Sequence, residues 1–244
     1  LPEERRNRMA ELLTADFYRT EELRRLYQRE FPGADPKDLN PFVLKDLGFR
    51  TYTDYAVSTR YPNAADYFRH FLADRDVVDM TQQNRRYAGL SSYSSELNDL
   101  KSQREIVEFL PLQYISLRRL QSIGVDAGAL TDYCAAVHAF TRSGRYFTVA
   151  SLRGEGFAHP LDDLGFDDWF YGSLLAEDPE RFSYCRMGGT RLFRRDGGRV
   201  LLADFLCRLV EAKGRMEIYD LQETLEQRYG IAIPVHKLTA AAQG

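Results

Sequence analysis

The apolar series Leu23, Tyr27, Phe31 returns 198 positions later as Leu221, Leu225, Tyr229, and each series runs through a proline, Pro41 or Pro234, into a further helix-like segment. A four-residue spacing puts each triplet on one helical face. A repeated helix, proline, helix step points to small modules built more than once, not to one large sheet. Leu161-Asp-Asp-Leu164-Gly165-Phe166 echoes Leu44-Lys-Asp-Leu47-Gly48-Phe49 in the same way. The 244-residue chain is 44% apolar and 13% aromatic, enough to bury a core and to exclude a wholly disordered chain.

The periodicity predicts helices over 3–13, 21–30, 39–47 and 64–73, with a hairpin-forming run at 49–58 and a brief strand at 77–80. Further on it predicts helices at 115–123, 129–141, 149–154, 161–175, 200–212, 219–229 and 234–242. The segment 81–103 (TQQNRRYAGLSSYSSELNDLKSQ) is rich in Ser, Gln and Asn and reads as a polar linker. The clearest β signal is 181–187 and 190–195 around Gly188-Gly189, a two-residue loop that supplies positive φ. The expected fold class is mainly α with short β hairpins. Its expected units are residues 1–80, the linker 81–103, residues 104–199, and a partial unit over 200–244.

Three short helices followed by a two-stranded ribbon is the layout of a winged helix-turn-helix. On Tyr133 to Arg195, with its Phe147-Thr148 helix entry and its FSYCRMGGTRLFRR hairpin, the chain resembles the HARE-HTH modules of bacterial transcription-associated proteins. Residues 3–58 resemble a second such unit and 200–244 a third. The resemblance implies tandem winged-helix units that bind duplex DNA without catalysis, with a helix in the major groove and the hairpin on the backbone.

The charge balance of 33 basic against 36 acidic residues gives a net of −3, so any nucleic-acid face has to be local. Between Asp162 and Glu180 stand seven acidic residues and no basic one, which keeps the 161–175 helix out of a groove. From Arg181 to Arg199 six arginines face one acid, Asp196. Arg186, Arg191, Arg194 and Arg195 on the hairpin, with Lys45 and Arg50 in the opening unit, are therefore the candidate phosphate contacts. The competing reading pairs those arginines with the neighbouring carboxylates. The aromatic groups Tyr52, Tyr55, Tyr61, Tyr67, Phe68 and Phe166, Trp169, Phe170, Tyr171 fit burial better than stacking on bases, since Tyr67, Phe68, Phe71 and Leu72 repeat at helical intervals, as do Phe166, Trp169 and Phe170.

No catalytic constellation is expected. Cys134 and His138 stand one turn apart with no second ligand pair, and three cysteines without CxxC spacing indicate neither zinc nor a disulfide framework. Asp204, Glu211 and Lys213 have the residue types of a metal-dependent nuclease but sit in a helical period, and Asp162-Asp163 and Asp167-Asp168 diverge about 100° on a helix. The expectation is thus a cytoplasmic, non-enzymatic protein with no cofactor, no metal and no membrane segment. Duplex DNA is the partner to test first. A protein-interaction scaffold, or an accessory region of a larger nucleic-acid enzyme, is the alternative.

Overall fold

The computed structural model describes residues 1–242, so the last two positions of the expected 200–244 unit lie outside the described residues. It holds a mixture of helices and three small antiparallel sheets of three strands each. The chain divides into two compact units, residues 1–74 with 82–99 and residues 75–81 with 100–244.

In the first unit the chain runs α1 (Glu3–Leu12), β1 (Phe17–Arg19), α2 (Thr20–Glu30), a 3₁₀ turn (Pro36–Asp38), α3 (Pro41–Asp46), β2 (Phe49–Thr51) and β3 (Tyr55–Ser58). The returning strand β3 sits in the middle, between β1 and β2, with Phe17 opposite Val57 and Arg50 opposite the same residue on the other side. Leu23 from α2 and Leu44 from α3 close over Phe49 and Ala56 of this sheet. The start of α3 is fixed locally: Pro41 occupies its first turn, and the Asn40 side chain accepts from the Phe42 and Val43 backbone N–H groups, both at 3.0 Å.

The same order of elements follows twice more along the chain. It recurs as α4 (Ala64–Ala73), β4 (Val77–Asp79), α5 (Asn84–Tyr87), α6 (Ser91–Ser102), β5 (Ile106–Leu110) and β6 (Gln113–Ser116). After α7 (Leu117–Ser122) it recurs as α8 (Ala127–Phe140), β7 (Tyr146–Phe147), α9 (Val149–Gly154), a 3₁₀ turn (Pro160–Leu164), α10 (Asp168–Ala176), β8 (Phe182–Met187) and β9 (Thr190–Arg195). Each time the third strand lies between the other two, in the orders β4-β6-β5 and β7-β9-β8. Three helices complete the chain, α11 (Leu202–Lys213), α12 (Ile218–Tyr229) and α13 (Val235–Ala242). Leu221, Leu225 and Tyr229 are buried on α12 as Leu23 and Tyr27 are on α2.

Three expectations need correction. The 81–103 segment is no linker: it forms α5 and α6, and Tyr87, Leu90, Tyr93 and Leu100 are buried. Its few apolar residues sit at near-helical intervals, with Ser91, Ser94, Ser95 and Ser102 exposed and Ser92 half-buried, so its average composition hides an amphipathic pattern. The expected helix 161–175 breaks at Gly165, which takes φ +69° and ends a 3₁₀ turn before α10 begins. The Leu161–Phe166 stretch therefore occupies a different place from Leu44–Phe49, which runs from α3 into β2. The expected 115–123 helix starts as the end of β6, and β5 before it carried no reading at all.

The 188–189 turn stands where the sequence puts it, with φ +51° and +78° and Met187 opposite Thr190. A Cβ on Gly188 would lie 2.6 Å from the Ala232 carbonyl oxygen, so glycine is required there by space as well as by angle. Of the aromatic residues expected in the core, Tyr55, Tyr67, Phe68, Trp169, Phe170 and Tyr171 are buried while Tyr52, Tyr61 and Phe166 are half-buried; the Phe17 ring centroid lies 5.5 Å from that of Tyr55, 5.7 Å from Tyr67 and 4.9 Å from Tyr87. Among the described residues no helix is long and apolar enough to cross a membrane.

Candidate nucleic-acid interface

The β8–β9 hairpin was the first candidate, and its arginines divide by burial. Arg191 is 4% exposed and cannot meet a phosphate. Its guanidinium donates to Glu108 Oε2 at 2.9 Å, to Ser173 Oγ at 3.0 Å and to the Trp169 carbonyl at 3.2 Å, and lies 3.9 Å from the Trp169 ring centroid. Glu108, 3% exposed, uses its other oxygen to accept from the Leu112 N–H at 2.9 Å, where the chain turns after a register shift in β5. Burial pushes the Arg191 pKa down, against the pull of Glu108. The assignment of Arg191 to phosphate contact is thus overturned, because a buried ion pair does not open for a surface ligand without leaving both charges desolvated.

Arg195 is also committed, donating to the Thr141 carbonyl and pairing with Asp196 at 3.3 Å. Arg194 is half-buried, 5.7 Å from the Tyr146 ring centroid and laid against Gly198, where a Cβ would collide with its guanidinium. Only Arg186 of the four is exposed. It sits opposite Arg191 in the ladder, 5.3 Å from the Trp169 ring centroid, with no carboxylate partner among the described residues. The neighbouring carboxylates do not neutralise the hairpin as the competing reading had it. Asp162 and Asp168 both bind Arg153 of α9, and Asp167 caps α10 through the Trp169 N–H. Asp178 does pair with Arg181, at 2.7 Å.

The helix ahead of this hairpin, α10, is buried over Trp169 to Leu175. Strand β5 lies on it, with Glu108 meeting Arg191 and Phe109 meeting Phe166 at 6.2 Å between ring centroids. Steric cover, beyond the acidic charge read from the sequence, keeps this helix out of any groove.

The first unit offers the opposite arrangement. On α3 only Leu44 is buried, while Pro41, Phe42, Lys45 and Asp46 are exposed, and Arg50 points to solvent from edge strand β2. Phe42 is 82% exposed, the most exposed large apolar side chain described. Lys45 stands one turn from it, and Lys37 is exposed on the preceding 3₁₀ turn. The ion pairs of this unit engage other cations, Arg8 with Glu30, Arg60 with Asp16 and Arg86 with Glu22 among them. They leave Lys37, Lys45 and Arg50 without a carboxylate partner among the described residues. Lys45 and Arg50 are thus exposed, which a phosphate contact requires; Phe42, exposed beside them, carried no reading in the sequence. Its signal was an aromatic residue directly after a helix-starting proline and out of phase with Leu44.

The residues considered for chemistry are occupied elsewhere. His138 Nε2 lies 2.8 Å from Asp196, and Cys134 Sγ contacts the Leu174 carbonyl at 3.4 Å, so the two do not converge. Burial raises the Cys134 thiol to about 11. His159 accepts from the Leu161 N–H through Nδ1 and meets Asp132 through Nε2 at 3.1 Å. Asp204, Glu211 and Lys213 all lie on helix α11. Among the described residues no group of three or more His, Cys, Asp or Glu is placed to hold a metal ion. Comparisons with protein-family models, curated proteins and solved structures gave no match.

Proposed function

We propose that this protein is a non-catalytic nucleic-acid-binding module made of tandem winged-helix units, acting in a transcription-associated, regulatory setting. The observation that carries the reading is the order of elements repeated three times, helix, strand, two helices and a hairpin, with the last strand paired between the first and second. That is the topology in which winged-helix proteins present a helix and a ribbon to a duplex. Lys45 and Arg50, with Arg186 on the β8–β9 hairpin, serve as backbone contacts, which position the ligand without reading its sequence. Arg194 and Arg195 support the hairpin from within.

Binding to a random duplex and to a single strand, followed by fluorescence anisotropy between about 50 and 200 mM salt, tests this reading. Affinity is expected to fall steeply as salt rises, and Lys45→Glu with Arg50→Glu to weaken binding and flatten the slope. Affinity unchanged over that range removes the electrostatic mechanism.

A second reading, a scaffold for a protein partner, is favoured by one observation: α10 is core, covered by β5, so the third repeat is built to hold structure. Anisotropy with no response to any nucleic acid supports that reading over the first.

A further inference from the structure

We infer that the exposed face of α3 binds an unpaired base, stacked on Phe42, in preference to the edges of paired bases in a duplex groove; this rests on the nucleic-acid reading above and names its ligand class. Two-pronged edge readout in a groove is supplied by planar forked side chains, Arg for guanine and Asn or Gln for adenine, and the exposed face of α3 carries none of them. The exposed side chains of α3 are Pro41, Phe42, Lys45 and Asp46. The one amide nearby, Asn40, spends its oxygen on the helix cap. A helix of six residues also spans only about 9 Å, too short to follow several base pairs.

What the face does offer is a phenyl ring, 82% exposed, on a rigid start set by Pro41 and the Asn40 cap. Every base has a π-face that such a ring can meet once the base is out of the stack. The surrounding charge selects an anionic strand and a path for it. Lys45 and Asp46 flank Phe42 on opposite sides, about 60° and 40° around the helix. Asp46 repels phosphate, so the backbone runs on the Lys45 side; Arg50 of β2, the strand packed against α3, and Lys37 on the preceding turn are the further cations next to this helix in the chain. A protein partner that sought this ring alone would have no use for three cations without carboxylate partners around it.

The test compares a single-stranded oligonucleotide, in deoxyribose and ribose forms, with the matched duplex and with a duplex carrying one unpaired bulge, each with 2-aminopurine at the probed position. Wild type is expected to bind the single strand and the bulge more tightly than the duplex and to quench 2-aminopurine. Phe42→Ala is expected to lose quenching and to weaken single-strand binding about fivefold or more, leaving duplex binding within about twofold, and Phe42→Trp to restore both. Phe42 is exposed, so neither variant should perturb folding, which circular dichroism checks. Equal loss on duplex and single strand, or quenching that survives Phe42→Ala, overturns the inference while the nucleic-acid reading stands. No binding to any of the four oligonucleotides overturns both and leaves the protein-scaffold reading.

Discussion

Arg191 shows how one side chain changes meaning between sequence and structure. In the sequence it is one of six arginines in 19 residues; in the fold it is a buried cation shared by Glu108, Ser173 and the Trp169 ring. Arg191→Met or Glu108→Gln alone is expected to cost about 3–5 kcal/mol in chemical denaturation, since each leaves a buried polar partner uncompensated. Arg191→Met combined with Glu108→Leu should recover much of that loss. A second residue-scale expectation concerns Asp196, whose carboxylate is held below the usual range by hydrogen bonds from His138 and Ser143. A depressed carboxylate stabilises the fold above its unfolded value and loses that contribution as pH falls through its folded value. Asp196 takes φ +60°, which asparagine also accepts. Asp196→Asn should therefore be less stable than wild type near pH 7, and thermal melts should converge as the pH drops below about 4.

At the scale of elements, α5 and α6 were lost to composition and the β8–β9 hairpin was found through its turn. Gly188-Gly189 announces itself because few residues supply two successive positive φ angles. The 81–103 helices have no such marker; their apolar residues are sparse, and only their positions, not their number, reveal a buried face. Leu100→Ala is expected to cost about 2–5 kcal/mol, as removal of a fully buried leucine does, while Ser94→Ala on the exposed side of α6 should stay within about 0.5 kcal/mol. Equal effects in urea titrations would contradict the placement of α6. Strand β5 escaped for a different reason. Its Ile106, Val107 and Glu108 are all buried, so the polar member reads as an interruption until its partner, 83 residues away, is known.

Over the whole molecule, two of the three copies of the element order were legible, at residues 3–58 and 133–195, through their helix and hairpin patterns; the middle copy and the division of labour were not. The net charge of −3 says little about binding, because the cations that matter are those left without a carboxylate, and that is settled only by folding. Stability and ligand capture are thus expected to separate. Lys45→Glu with Arg50→Glu should lower affinity in anisotropy with little change in the denaturation midpoint. Arg191→Met should shift the midpoint and leave the affinity of the remaining folded protein within about twofold. The cover of β5 over α10 extends this to sequence change over time. Along 169–175 drift is filtered by whether the chain still folds, so that stretch should diverge slowly without tracking any target, whereas the open surface at 41–46 carries no such constraint and, under the proposed binding, should be retuned with the ligand.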